Sequence, residues 1–285
     1  MADQSNIVRR LVFRLVKKHI AGTTTRSALK GVKLLNERKL HATVTFLSEN
    51  AVNPNKIHYN INTYMEFIRQ ISRLHLNADV SLRLSQLGYA SDKTGCESGL
   101  GQIAGLASKS GVKVWVECEE PIPIRSAIDL MKRQNCFAGT LGLEIPVVGH
   151  KIEKGPLSGI KNIRLTSYTR EGKSRSGDEI IKSYLSSIKF LGRKTGITIL
   201  EADAKLIQRL ADKEKGYKKD LAFEVPLGYS KKRMSRLSKM KFNMGVYVPY
   251  GSDWIPYAID KLTEGHIRDI ARAVLDGEHK RDQNA

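Results

Sequence analysis

The sequence has few aromatic residues, few cysteines and no long apolar run. Phe, Trp and Tyr make up only 7% of the 285 residues, and no basic-glycine-aromatic run or zinc-finger spacing occurs, so we expect no nucleic-acid partner. Cys96, Cys118 and Cys136 form an odd, widely spaced set, which predicts neither a disulfide framework nor a zinc site and favours a reducing compartment. No stretch approaches the roughly 20 apolar residues that span a bilayer, and the N-terminus lacks a cleavage pattern. We therefore expect a soluble, cytoplasmic protein.

Acidic residues are scarce relative to basic ones. The chain has 29 Asp and Glu against 48 Lys and Arg, a formal net charge of +19. Nucleic-acid binding, an anionic membrane surface or a generally basic proteome would each account for this excess. Residues Asn6–Ile20 predict a basic amphipathic helix, which either packs on the domain or makes a peripheral contact with the inner face of the cell membrane. A second helix is expected over about Thr25–Arg38.

After these helices, short runs suited to buried strands alternate with segments of helical periodicity. The predicted strands are Ala42–Leu47, Val80–Ser85, Val112–Cys118, Gly139–Ile145, Asn162–Ser167, Gly196–Leu200, Leu221–Val225 and Gly245–Val248. The predicted helices are Ile57–Leu76, Gly95–Ser108, Ile122–Gln134, Asp178–Leu191, Asp203–Lys215, Lys231–Met240 and Asp253–Leu275.

Eight strand-helix units predict an α/β fold, a closed parallel (βα)8 barrel of the TIM type. We expect N-terminal helices over residues 1–40, the barrel over 41–276 with its final helix over the barrel mouth, and a disordered basic tail over 277–285. An open doubly wound sheet is the alternative, but no Gly-x-Gly-x-x-Gly follows an early strand, so nothing supports a Rossmann site.

The stretch from Val246 to Glu264 predicts a strand, a turn and a helix. Pro249 is expected to end the pairing of the strand, and Ser252 or Asp253 can cap the helix. Within that helix three polar residues share one face by their spacing of three and four: Tyr257, Lys261 and Glu264.

Polar residues gather where the predicted strands end, which is where TIM barrels place their active sites. These residues are Arg83, Glu117, Glu119, Glu144, Arg164, Glu201, Glu224 and Tyr247. Isolated charges in apolar strands cost several kcal/mol unless they are paired. The sequence therefore predicts a charged network that lines a cavity; the alternative is a solvated rim of salt bridges without a ligand.

Several motifs on successive strands carry a family resemblance. They are Ala21-Gly22-Thr23, Leu47-Ser48-Glu49, Leu82-Arg83-Leu84-Ser85-Gln86-Leu87-Gly88, Val116-Glu117-Cys118-Glu119-Glu120, Ile163-Arg164-Leu165, Phe223-Glu224 and Tyr247-Val248-Pro249-Tyr250-Gly251, the last with Trp254, Pro256, Tyr257 and Glu264. In this order they resemble the proline dehydrogenase family, flavin enzymes on a distorted (βα)8 barrel. The resemblance spans nearly the whole chain.

The resemblance implies FAD at the barrel mouth, with FMN as the alternative and no metal. It implies oxidation of L-proline, or of a related cyclic amine, by hydride transfer to the flavin, giving pyrroline-5-carboxylate in the case of proline, with a quinone or another electron acceptor. The implied cofactor-binding residues are Glu117, Glu144, Arg164, Glu201 and Glu224. The implied catalytic residues are Arg83, Tyr247, Tyr257, Lys261 and Glu264.

The chain departs from the family pattern where substrate and cofactor are held. Asp260 and Lys261 stand where the family has paired arginines that grip the proline carboxylate, and Ser167 and Ala202 replace a lysine and a histidine. An arginine pair binds a carboxylate bidentately, whereas an aspartate repels it. The alternative function is therefore a catalytically silent or substrate-shifted barrel that binds a ligand or a partner.

Overall fold

The computed structural model describes residues 17–119, 122–148, 154–167, 177–192, 195–200, 207–209, 221–228 and 242–261. Its strands form a closed barrel, in which each strand pairs in parallel with the next and the eighth pairs with the first. The predicted (βα)8 fold is confirmed.

The eight strands are short and regularly spaced. They are β1 (His41–Phe46), β2 (Ala78–Leu82), β3 (Val114–Val116), β4 (Leu141–Pro146), β5 (Asn162–Thr166), β6 (Gly196–Leu200), β7 (Leu221–Pro226) and β8 (Asn243–Tyr250). Among the described residues, the helices are α1 (Thr25–Asn36), α2 (Pro54–Arg73), α3 (Lys93–Ser110), α4 (Ile124–Arg133), α5 (Lys154–Leu157), α6 (Gly177–Leu191) and α7 (Trp254–Lys261), with 3₁₀ turns at Leu84–Leu87 and Asn135–Phe137.

Local sequence explains where the helices begin and end. The Thr24 hydroxyl accepts a hydrogen bond from the Ser27 backbone N–H at the start of α1, and Asn53 and Asp92 cap α2 and α3 in the same way. Gly111 ends α3 in a left-handed conformation, with φ of 66°. Each such cap satisfies backbone groups that the helix leaves unpaired.

The strands alternate between an apolar outer face and a polar inner face. On β4 and β5, for example, Leu143, Ile145 and Leu165 pack in the main apolar core, while Glu144 and Arg164 meet inside the barrel. Because successive side chains of a strand point to opposite faces, one set of residues holds the helices to the barrel. The other set fills the lumen with charge.

The segment that follows β8 packs closely on the end of β1. A Cβ at Gly251 would lie 2.4 Å from the carbonyl oxygen of Leu47, and φ of Gly251 is 143°, so this turn requires glycine. Trp254 at the start of α7 is buried against Ile20 and Leu47, and Tyr257 packs on the same cluster. The beginning of α7 thus lies at the carboxyl end of the barrel.

Pro249 does not end the pairing of β8, contrary to expectation. Pairing with β1 continues to Tyr250, whose carbonyl accepts from Leu47 N–H at 2.6 Å. The backbone groups of Pro249 point to the opposite side, where β7 has already ended at Pro226, so the missing N–H of proline breaks no ladder bond. The Pro249 carbonyl accepts instead from Ala21 N–H at 2.8 Å.

Other predicted boundaries also shift. The second strand ends at Leu82, three residues early, because Leu84–Leu87 forms a 3₁₀ turn. Of the predicted helix Asn6–Ile20, only residues 17–20 are described, and they form a turn and a bend. The predicted helices Asp203–Lys215 and Lys231–Met240, and the tail 277–285, lie largely or wholly outside the described residues. No helix in the described part of the chain has the length and apolar character that a membrane span requires.

Candidate active site

The guanidinium of Arg164 occupies the centre of the lumen, with no exposed surface. Its Nε donates to Glu144 Oε2 at 2.9 Å, and its Nη2 lies 2.8 Å from the same oxygen. Nη1 lies 3.5 Å from Glu224 Oε2, and Nη2 lies 3.7 Å from Glu117 Oε1. One cation is therefore shared by carboxylates from three strands or strand ends.

Ser81 connects this cation to the mouth of the barrel. Arg164 Nη2 donates to Ser81 Oγ at 2.6 Å, and Ser81 Oγ donates to Glu117 Oε1 at 2.7 Å. The same Glu117 oxygen accepts from the Tyr247 hydroxyl at 2.6 Å. Since β2 and β5 are not neighbours in the sheet, this chain of hydrogen bonds crosses the lumen. Glu117 and Tyr247 are partly exposed, so an entering ligand meets them before it reaches Arg164.

Aromatic rings and a hydroxyl complete the surroundings of the guanidinium. Its carbon lies 5.3 Å from the Trp115 ring centroid and 5.5 Å from that of Tyr247, within range of cation–π attraction. Glycine at position 142 makes room for Trp115, because a Cβ there would lie 2.5 Å from its ring. Thr43 donates to Glu224 Oε1 at 2.6 Å, which fixes that carboxylate on the far side.

A second polar group lies at the rim, where β1, β2 and β3 end. Arg83 donates from Nη2 to the Ser48 carbonyl at 2.7 Å. Glu119 accepts from the backbone N–H and the hydroxyl of Ser85, at 2.7 and 2.6 Å. Burial raises the pKa of Glu119, although the Ser85 hydrogen bonds and the charge of Arg83 act in the opposite direction.

The electrostatics keep the central cation charged and the central phenol neutral. Burial alone would lower the pKa of the Arg164 guanidinium, but Glu144, Glu224 and Glu117 outweigh it and hold that pKa above its ordinary value. Burial, and then the charge of Glu117, raises the pKa of Tyr247 well above its ordinary value. The site thus combines a permanent positive charge, carboxylate acceptors and a neutral phenol whose proton is held by Glu117.

The structure brings together five of the ten residues that the sequence analysis selected: Glu117, Glu144, Arg164, Glu224 and Tyr247. Arg83 lies at the rim, and Tyr257 packs on the apolar cluster of Trp254 instead. Lys261 is the last described residue of α7, and Glu201 and Glu264 lie outside the described residues. The roles assigned to all ten remain predictions.

Three residues of this site were not predicted from the sequence: Thr43, Ser81 and Trp115. Each stands two positions before another inward residue on the same or the continuing strand, namely Thr45, Arg83 and Glu117. Because strand side chains repeat with a period of two, extending the pattern backwards from Arg83 and Glu117 would have found Ser81 and Trp115. Their uncharged side chains gave no signal of their own.

The residues present fit one part of the flavin that the family resemblance implies. A flavin ring takes up negative charge on reduction, and a fixed buried cation such as Arg164 stabilises that charge. Glu144 and Glu224 can accept hydrogen bonds from N–H or hydroxyl donors but do not suit phosphates, which require N–H donors or cations. The loop that contains Glu201 lies outside the described residues, so the fit concerns the ring alone.

Comparison with known proteins found curated relatives over most of the chain. Proline dehydrogenase 1 of Bacillus subtilis subsp. natto is 23% identical over 259 residues, which cover 87% of this chain and 86% of that protein. Proline dehydrogenase 2 of Bacillus subtilis strain 168 is 25% identical over 262 residues, covering 87% and 85%. No protein-family model matches the chain.

Solved structures with the same fold include two chains of proline utilization A. The protein from Bdellovibrio bacteriovorus, inactivated by N-propargylglycine, superposes with a TM-score of 0.76 at 16% identity over 91% of this chain. A variant from Bradyrhizobium japonicum gives a TM-score of 0.73 at 15% identity over 93% of this chain. The chain spans about a third of each of those longer proteins, 33% and 32% respectively.

Proposed function

We propose that this chain, a divergent member of the proline dehydrogenase family, is a flavin-dependent oxidoreductase that oxidises a cyclic amine. The observation that carries the proposal is the position of Arg164. It is fully buried in the lumen and is connected through the hydroxyl of Ser81 to the partly exposed pair Glu117 and Tyr247. This arrangement stands in a barrel whose curated relatives are named proline dehydrogenases and align over 87% of the chain.

The flavin would supply the two-electron chemistry, accepting a hydride from the carbon beside the amine nitrogen as a C=N bond forms. Arg164 would face its ring as a cation that neither loses its proton nor needs to reorganise. Glu144 and Glu224 hold the guanidinium in place. Tyr247 keeps its phenolic proton and donates to Glu117, which leaves the other Glu117 oxygen for a substrate N–H.

The finer assignments belong to the same proposal. FAD is the expected flavin, and a quinone or another small acceptor would remove the electrons. L-proline is the reference substrate because the curated relatives are named for it. Asp260 and Lys261, at the sequence positions of the family's paired arginines, favour a cyclic amine other than free proline.

Cofactor binding tests the proposal. The full chain, purified under native conditions, should release a flavin on denaturation, or should bind added FAD or FMN with a rise in its melting temperature and a change in the visible absorption band of the flavin. Arg164→Met, verified as folded by circular dichroism, should weaken binding, whereas the exposed Arg133→Met should not. A folded protein that neither contains nor binds a flavin would refute the proposal.

A further inference from the structure

We propose that Trp115 is a positioning residue, whose indole ring holds the Arg164 guanidinium where that cation would meet the flavin, and that Asp79 in turn holds the indole. The inference rests on the proposed function and deepens it by naming what fixes the central cation from the amino end of the barrel. The residues concerned lie on neighbouring strands, from β1 to β5.

The indole of Trp115 joins the central cation to the amino end of the barrel. Trp115 stands beside Ser81 in the register of β2 and β3. Inward side chains of a strand repeat every second residue, so Asp79 lies nearer to the amino end of β2 than Ser81. Trp115 Nε1 donates to Asp79 Oδ2 at 3.4 Å, and the guanidinium carbon of Arg164 lies 5.3 Å from the centroid of the Trp115 ring. One ring therefore contacts both groups.

The next strand provides the space that this ring occupies. Gly142 stands beside Trp115 in the register of β3 and β4, and a Cβ at this glycine would lie 2.5 Å from a carbon of the indole. The Trp115 side chain is nearly fully buried. A larger residue at position 142 would displace the ring, because a close-packed interior leaves no room beside it.

The acceptor of the indole N–H is itself held through both of its oxygens. Asp79 Oδ1 accepts from the backbone N–H of Lys113 at 3.0 Å, and Asp79 Oδ2 lies 3.1 Å from His41 Nε2. The other ring nitrogen of His41, Nδ1, lies 2.9 Å from Asn77 Oδ1. A carboxylate bonded in this way has little freedom to rotate. Asp79 thus gives the Trp115 N–H an acceptor in a fixed position.

The indole constrains the guanidinium differently from its hydrogen-bond partners. Glu144 and Ser81 accept from the N–H groups of Arg164, which all lie in the guanidinium plane. A ring within cation–π range attracts the charge itself and fills the space beside it. Without the ring, the guanidinium could move into that space while it kept some of these bonds. A fixed cation stabilises developing charge because it is already in place, so this movement should weaken flavin binding.

A double-mutant cycle on the full chain tests whether Trp115 acts through Arg164. Trp115→Leu removes the ring and should weaken FAD binding, measured by calorimetry, about 2- to 30-fold, the range expected for a cation–π contact. In Arg164→Met the same change should alter FAD binding less than about 2-fold. Trp115→Phe keeps a ring and should retain most of the binding. Equal effects of Trp115→Leu with and without Arg164, or a Phe variant as weak as the Leu variant, would overturn the inference.

Two further variants test the role of Asp79 and provide the control. Asp79→Asn removes the charge of the acceptor and should weaken FAD binding about 2- to 10-fold, again only when Arg164 is present; it carries the cycle if Trp115→Leu fails to fold. Phe67→Leu is the matched loss of a buried ring, on α2, where Phe67 stacks on Tyr250, and should leave FAD binding unchanged. An equal loss in this control, or no effect of Asp79→Asn, would contradict the assignment.

Measurements on the flavin-free chain separate this inference from the proposed function. Urea denaturation should show that Trp115→Leu and Arg164→Met together cost less stability than the sum of the two single changes. The chain has two tryptophans, so in Trp254→Phe the indole emission belongs to Trp115 alone and should shift on Arg164→Met. Such coupling in a chain that binds no flavin would refute the oxidoreductase and leave Trp115 as the residue that holds Arg164. Flavin binding with purely additive effects would refute the role of Trp115 alone.

Discussion

Replacing Arg164 by methionine should reveal how firmly the central cluster depends on one cation. The change removes the guanidinium that the nearly buried carboxylates of Glu117, Glu144 and Glu224 share. Removing one partner of a buried charge pair costs about 3–5 kcal/mol, because the remaining charge is uncompensated. For a protein of this size, about 2–4 °C of melting temperature correspond to each kcal/mol. We expect a loss of about 6–20 °C, measured by circular dichroism and by urea denaturation.

An exposed ion pair provides the matched control. Arg133 Nε lies 2.7 Å from Glu97 Oε2, as close as Arg164 lies to Glu144, but the Arg133 side chain is 53% exposed. Pairs of this kind contribute about 0–1 kcal/mol, so Arg133→Met should change the melting temperature little. Adding Glu144→Gln to Arg164→Met should recover part of the lost stability, since one of the buried charges that lost the guanidinium is then removed. Equal effects of the two arginine substitutions would show that the stability of the central cluster does not depend on Arg164.

Two further predictions concern the rest of the barrel. Burial alone would lower the pKa of His41, but its hydrogen bond and ion pair with Asp79, and the contact with Asn77, raise that pKa to about 9. The folded-state pKa therefore lies above the ordinary value of 6.5. The stabilisation that protonated His41 provides is fully present below about pH 6.5 and is lost as the pH rises through about 9. Urea denaturation across this interval should show the loss in the wild type, and an unchanged slope in His41→Gln would contradict it. Gly251→Ala should lower the free energy of unfolding by at least about 2 kcal/mol, because its Cβ would meet the Leu47 carbonyl in a conformation that suits glycine. Gly111→Ala, with open space around it, should lower it by about 1–2 kcal/mol. A reversed order in thermal denaturation would show that the turn after β8 is not tightly packed.

The barrel was predictable from sequence because alternation within strands and their regular spacing are local signals. The positions where the strands end were harder to predict. No pattern in the neighbouring sequence shows that β2 ends at Leu82. The 3₁₀ turn that follows is held by Gln86, whose side chain donates to the Phe46 carbonyl of another strand. The continuation of β8 past Pro249 depends likewise on where β7 ends.

The candidate site was predictable for its charged residues and not for its uncharged ones. Charged residues within apolar strands are conspicuous in a sequence, and Arg164 and its three carboxylates were predicted for this reason. Ser81 and Thr43 resemble ordinary strand residues, and only the closure of the barrel brings Ser81 against Arg164. The register between distant strands decides such contacts, and a single sequence does not encode it in any local pattern.

Anaerobic reduction of the bound flavin would show directly whether this barrel oxidises a cyclic amine. The flavin-loaded full chain is mixed without oxygen with pyrrolidine, L-proline or a buffer blank, and the visible band of the oxidised flavin is followed in time. We expect a cyclic amine to bleach the band at a rate that saturates with amine concentration, and Arg164→Met to slow the bleaching at saturating amine. A flavin that stays oxidised with every amine offered would contradict the proposed oxidation of a cyclic amine and favour a barrel that binds a ligand without oxidising it.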